Sequence, residues 1–84
     1  GLGFVAGLRS QGHDPAGRHV YLAGLGGAGK AIACAIAEAG PASLRLYNRS
    51  SDKAEAFAER LARHHPGLAI HVAGTRPESC DIAI

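Results

Sequence analysis

Six consecutive residues, Gly24-Leu25-Gly26-Gly27-Ala28-Gly29, fit the spacing G-x-G-x-x-G. Glycines so spaced, between a strand and a helix, can hold a phosphate group. Gly24 permits a sharp turn out of the strand. Gly26 has no side chain, so an anion can reach the backbone, and Gly29 lets the helix pack tightly on the strand. The free N–H groups of the helix's first turn, aided by its dipole, then face the negative charge. The bland reading is a glycine-rich turn that binds nothing. A sharper rival is the phosphate loop of nucleotide hydrolases, because residues 24–30 also fit G-x-x-x-x-G-K. That motif continues with Ser or Thr to hold Mg²⁺. Here Ala31 follows and has no oxygen, so nucleotide hydrolysis is not expected and Lys30 reads as an exposed helix residue beside the phosphate.

The second position that points to chemistry lies 19 residues past Gly29, at Asn48. Dinucleotide-binding folds place an acidic residue about there to bind the adenosine ribose 2′-OH. This chain has no carboxylate at that tip; Arg49 and Ser50 follow at once, and Lys53 is three residues further. An uncharged tip followed by two cations and a hydroxyl suits a 2′-phosphate, which a guanidinium can bind bidentately and a carboxylate would repel. The residues therefore favour NADP over NAD. Their bland reading is a polar turn with solvated charges.

The elements that must position these residues follow from periodicity and from Gly/Pro punctuation. Residues 1–11, with Phe4, Val5 and Leu8 at helical spacing, predict a short helix stopped by Gly12. Residues 18–23 are an apolar run and predict a buried strand. Residues 28–39 predict a helix with one stripe of Ala28, Ala31, Ile32, Ala35, Ile36 and Ala39. Its other positions, Ala33, Cys34 and Ala37, are also small, so cover is expected on its far side too. Residues 44–48 predict the second strand. Residues 52–63 predict a second helix with Ala54, Phe57, Ala58 and Leu61 toward the core and a Glu59–Arg63 pair in water. Asp52 and Glu55 fit a capping box there, with Ser50 or Ser51 as other caps. Residues 68–73 alternate large and small, as an edge or half-covered strand does. After a turn at Gly74-Thr75-Arg76-Pro77, residues 80–84 begin a fourth strand. Strands alternating with crossover helices imply a parallel sheet, with right-handed crossovers.

Composition agrees with a folded domain: 46% hydrophobic, 19% charged and 5% aromatic residues, so the core must be built from Ala, Leu, Ile and Val. The net charge of +2 is spread evenly and forms no basic stripe, which argues against sequence-independent nucleic-acid binding. No apolar run reaches the ~20 residues of a membrane span. The chain starts on Gly1 and contains no Met, so a piece of a longer polypeptide is expected, with a processed terminus as the alternative. Cys34 and Cys80 stand 46 positions apart without metal spacing and read as two small buried thiols in a reduced compartment. The five histidines are scattered apart from His64-His65, which suits a helix C-terminus better than a metal. Tyr47 reads as core or adenine-adjacent packing, and Asp81 as a strand-edge residue.

Taken together, Gly1-Leu2-Gly3-Phe4, the Gly24-Leu25-Gly26-Gly27-Ala28 loop and Asn48-Arg49-Ser50 resemble the shikimate/quinate dehydrogenase family over nearly the whole chain. The resemblance implies a Rossmann-like α/β fold, a three-layer parallel sheet with helices on both faces, here incomplete. Residues 1–17 would be an inter-domain connecting helix and turn, and residues 18–84 a truncated NADP-binding domain. Gly24, Leu25, Gly26, Gly27 and Ala28 would form the diphosphate loop; Asn48, Arg49, Ser50 and Lys53 would bind the 2′-phosphate side. Lys53 stands where the family often has Arg, and Leu25 where it often has Ala, a change that bears on the adenine or diphosphate contact. Residues 81–84 resemble the strand that leads toward the nicotinamide. The family's catalytic Lys and Asp would lie outside this chain, the Asp directly before the Gly-x-Gly-Phe segment. The implied reaction is reversible hydride transfer between NADP and the alcohol carbon of a cyclic hydroxy acid, in the cytoplasm, with a small-molecule substrate and neither nucleic acid nor membrane as partner. The alternatives are a non-catalytic NADP-binding regulatory module and a two-domain NADP enzyme of the glutamyl-tRNA reductase kind.

Overall fold

A computed structural model of the chain describes residues 2–73 and 80–84. The expected turn at Gly74-Thr75-Arg76-Pro77 lies outside the described residues. The elements run α1 (Leu2–Ser10), β1 (His19–Ala23), α2 (Gly27–Glu38), β2 (Ser43–Tyr47), α3 (Ser51–His64), β3 (Ile70–Val72) and β4 (Ile82–Ala83). The four strands form one sheet in the order β3-β2-β1-β4, with every pairing parallel. The chain steps outward from β1 to β2 to β3 and then returns to lay β4 on the other side of β1. That reversal is the switch point of a Rossmann-like fold, and the expected α/β class is what the chain adopts. β3 stands at one edge, as its alternating sequence predicts.

Val20 pairs with Leu44 and Leu22 with Leu46 across β1 and β2, and all four are nearly or wholly excluded from solvent. Successive strand residues face opposite sides, so these four share one face. Ala33 and Ile36 of α2 and Ala54, Phe57 and Leu61 of α3 join them in one core. α2 contacts β1, α3 contacts β2 and β3, and the two helices touch each other. Leu44 is fully buried at the centre of this cluster. Leu44→Ala is therefore expected to cost about 3 kcal/mol through lost burial and the cavity left behind. A urea melt of the variant, with the slope unchanged, checks this.

Three expectations need correction. In α2, Ala28 and Ala31 are exposed, while Ala33 and Ala37 join Ala35 and Ile36 in the interior. The first turn of α2 stands at the carboxyl ends of the strands rather than over the sheet. Farther along, α1 packs against α2 and widens its buried arc; Val5, Ala35 and Ala39 border one shared hollow. The outward stripe is thus Ala31, Cys34 and Glu38. Cys34 is exposed rather than core, Cys80 is exposed too, and both thiols are free. Nor does Asp52 cap α3. Ser50 occupies the N-cap in an extended conformation, without a side-chain bond, and its carbonyl accepts the Ala54 N–H at 3.2 Å. Asp52 falls inside the first turn, where its charge meets the helix dipole directly. The Glu59–Arg63 pair forms as expected, at 3.0 Å on the wet side.

The turn joining α1 to β1 is tied by Asp14. Its Oδ1 accepts the Ala16 N–H at 3.0 Å and the Arg9 Nε–H at 3.2 Å. The backbone bond from Ala16, and then the bond from Arg9, hold the Asp14 carboxyl below its ordinary value. A carboxylate whose folded value is depressed stabilises the fold above its unfolded pKa, about 3.9, and loses that contribution as the pH falls through the folded value. Arg9→Ala is expected to move the Asp14 midpoint part of the way back up, because the Ala16 bond survives. A carboxyl NMR titration reads the shift directly.

Candidate functional site

β1 ends at Ala23, α2 begins at Gly27, and only residues 24–26 lie between. So short a connection is a tight turn and not the longer loop of a nucleotide hydrolase. Gly24 adopts φ +89°, a left-handed conformation that a side chain would strain, and its N–H donates to the Tyr47 carbonyl at 2.8 Å. A Cβ built on Gly29 would overlap the Gly24 carbonyl oxygen. Gly29 is therefore what allows α2 to start so close to the strand.

Gly26 is the N-cap of α2, a position where Ser, Thr, Asp or Asn ordinarily satisfies the first N–H groups. The first helical donor to find an internal carbonyl is the Lys30 N–H, on Gly26 at 3.0 Å. The N–H groups of Gly27, Ala28 and Gly29 precede it and have no capping side chain. Around Gly26 and Gly27 no described atom beyond the adjoining residues and the helix's own backbone lies within 4 Å of where a Cβ would stand. An uncapped helix start, a cleared space and no acidic side chain in the first turn together fit an anion. The space lies beside the switch point: the Ile84 carbonyl, just past β4, accepts the Ala23 N–H at 3.0 Å. Ligands of open α/β sheets bind in the crevice at that place.

The end of β2 lies alongside. Asn48 is half-buried, and its Oδ1 accepts the Leu25 N–H at 3.3 Å. Its Nδ2 donates to the Ser50 carbonyl at 3.3 Å. Arg49 and Lys53 are exposed, and Ser50 is half-buried at the head of α3. Neither Arg49 nor Lys53 joins either of the two ion pairs among the described residues. The glycine loop and the Asn48-Arg49-Ser50 turn, 23 residues apart in sequence, are thus neighbours. Leu25 sits differently from its partners: the residue is 6% exposed and belongs to the core. Only its backbone faces the loop, and its N–H is taken by Asn48. Tyr47 is half-buried and meets the loop through its carbonyl.

A second polar cluster lies at the opposite, amino ends of the strands. His19 Nδ1 and Ser43 Oγ are 2.6 Å apart, and Asp81 Oδ2 accepts the His19 N–H at 2.8 Å. With Arg45 and Cys80 they border a hollow of about 310 Å³. Asp81 is thus more than an edge residue: it fastens the start of β4 to the start of β1. Periodicity carries no signal for such a link. Among the described residues, no group of three or more His, Cys, Asp or Glu could hold a metal ion.

No family model matches the chain. Individual relatives do. The shikimate dehydrogenase (NADP(+)) of Moorella thermoacetica is 45% identical over 62 residues, 74% of this chain and 21% of that protein. The shikimate dehydrogenase (NADP(+)) of Symbiobacterium thermophilum is 37% identical over 84 residues, 100% of this chain and 29% of that protein. Among solved structures, the ligand-free form of 5-ketofructose reductase of Gluconobacter sp. strain CHM43 matches with a TM-score of 0.79 and 34% identity, covering 96% of this chain and 30% of that one. The chain spans between a fifth and a third of the length of these proteins. The matches to the two dehydrogenases and the geometry of the loop agree: this chain belongs, as a segment, to the shikimate dehydrogenase family.

Proposed function

We propose that this chain is the NADP-holding part of a dehydrogenase that moves a hydride between the nicotinamide and the alcohol carbon of a cyclic hydroxy acid of the shikimate or quinate type. The observation that carries the reading is the uncapped start of α2 lying beside a turn that bears Arg49 and no carboxylate at its tip. The N–H groups of Gly27, Ala28 and Gly29 would hold the diphosphate, with Gly24 and Gly26 shaping the space. Arg49, Ser50 and Lys53 would take the 2′-phosphate, and Asn48 stands between the two grips. Bound NADP supplies the hydride donor or acceptor. The chain's own share is to fix the dinucleotide along the carboxyl ends of the strands, so that the nicotinamide lies toward β4 and the switch point.

The groups that move the hydroxyl proton, a Lys and an Asp by family resemblance, would come from outside residues 1–84. Residues 1–17 would connect the nucleotide-holding part, residues 18–84, to the part that carries them. The proposed setting is the cytoplasm with a small-molecule substrate; no described helix is long and apolar enough to cross a membrane. A second reading of the substrate has its own support. A 5-ketofructose reductase shares this architecture at a TM-score of 0.79, so a hydroxyketone reductase fits the same nucleotide part. Titrating the chain with NADPH and NADH, followed by nicotinamide fluorescence with circular dichroism as the fold control, tests the reading. Tighter binding of NADPH is expected. A folded chain that binds neither nucleotide defeats it.

A further inference from the structure

The geometry points to Asn48 as a positioning residue: its one side chain ties the diphosphate loop to the 2′-phosphate turn, so that both grips stand or fall together. This rests on the NADP-holding reading above. Each end of the Asn48 amide makes a bond within the protein. Oδ1 accepts from Leu25 in the glycine loop, and Nδ2 donates to the carbonyl of Ser50, the N-cap of α3. That carbonyl also accepts the Ala54 N–H, so the bond reaches the first turn of α3 itself.

On the other side, Leu25 is anchored by its buried side chain, and the neighbouring Gly24 N–H is held by Tyr47. The tie thus links two firmly seated elements, and Arg49 lies between its two ends in sequence. A shorter side chain at 48 would leave the loop and the turn joined only through the Gly24–Tyr47 backbone bond, with no link from Leu25 to the turn itself. An Asp can keep the acceptor for Leu25 while giving up the donor to Ser50. It also sets a negative charge beside the place proposed for the 2′-phosphate.

The test is a comparison of Asn48→Ala and Asn48→Asp with the native chain. Three quantities are read for each: NADPH affinity, NADH affinity and hydrogen exchange at the Leu25 amide. In Asn48→Ala, both nucleotides are expected to bind about tenfold more weakly, and the Leu25 amide to exchange at least tenfold faster. In Asn48→Asp, the Leu25 protection and the NADH affinity are expected to return, while NADPH stays weak. A variant Asn48→Ala that loses NADPH and keeps native NADH affinity and Leu25 protection overturns the proposal, since Asn48 would then be a direct 2′-phosphate ligand. If Asn48→Ala fails to fold, the Asp variant alone decides: loss of NADH binding or of Leu25 protection in it overturns the tie. Native chain that binds neither nucleotide, yet whose Leu25 protection depends on Asn48, defeats the NADP reading and leaves the tie standing.

Discussion

Gly26→Asp will leave the chain slightly more stable and unable to hold NADPH, whereas Gly29→Ala will lower its stability by about 2 kcal/mol or more. Both replace a glycine of one short motif, and the structure separates them. Gly26 has an extended backbone, φ −67° and ψ −176°, which any residue adopts, and open space where its Cβ would stand. An aspartate there becomes the missing cap. Its carboxylate accepts one of the first N–H groups of α2 and meets the helix dipole, a gain of about 0.5 kcal/mol. The same carboxylate occupies and repels the anion site, so NADPH affinity should fall at least about 100-fold, the loss of two hydrogen bonds to a charged group. At Gly29 the added methyl group meets the Gly24 carbonyl, and Gly24 is already fixed in a left-handed turn. Neither backbone can move without lifting α2 off β1. Urea melts and NADPH titrations of the two variants check the pair. An aspartate variant that binds NADPH as the native chain does would show that the diphosphate is not at this helix end.

The contrast shows which features a sequence of this kind reveals. Gly24 and Gly29 are legible because each answers a local steric demand within six residues. The strands are legible because buried parallel strands read as apolar runs, as at Val20-Tyr21-Leu22, and their parallel pairing follows from alternating strands and helices. Less legible is anything set by a neighbour distant in sequence. The all-small composition of α2 gives no contrast between its faces; in the structure α1 borders Ala35 and Ala39, Ala37 borders the His65–Leu68 turn, Ala33 is buried and Cys34 is exposed. Asp52 and Glu55 have the spacing of a capping box, yet α3 begins at Ser51, and Ser50, the alternative cap, takes the N-cap. At Asn48 the residue type points to the absence of a charge. That its amide would be engaged at both ends depends on bringing residues 25 and 48 together, which only the pairing of β1 with β2 achieves.

Arg49→Ala is expected to weaken NADPH binding about 30-fold and to leave NADH binding unchanged. The size follows from one charge-assisted interaction with a phosphate, about 2 kcal/mol, at an exposed site where water and salt screen part of the attraction. Lys53, in the first turn of α3 and also exposed, would retain some attraction for the 2′-phosphate. The loss should therefore stop short of complete equality between the two nucleotides, and Lys53→Ala in the Arg49→Ala background should remove most of the remainder. Salt gives an independent check. Raising it should weaken NADPH more than NADH in the native chain, and that difference should shrink in the Arg49 variant. The substitution removes an exposed side chain that joins neither ion pair seen among the described residues, so the melting curve should not move. Equal losses for NADPH and NADH would place Arg49 on a group the two nucleotides share, the adenine or the diphosphate, rather than on the phosphate that distinguishes them. The preference for NADP would then rest on the missing carboxylate at the tip of β2, and installing one there, by Asn48→Asp, would be the substitution that reverses it.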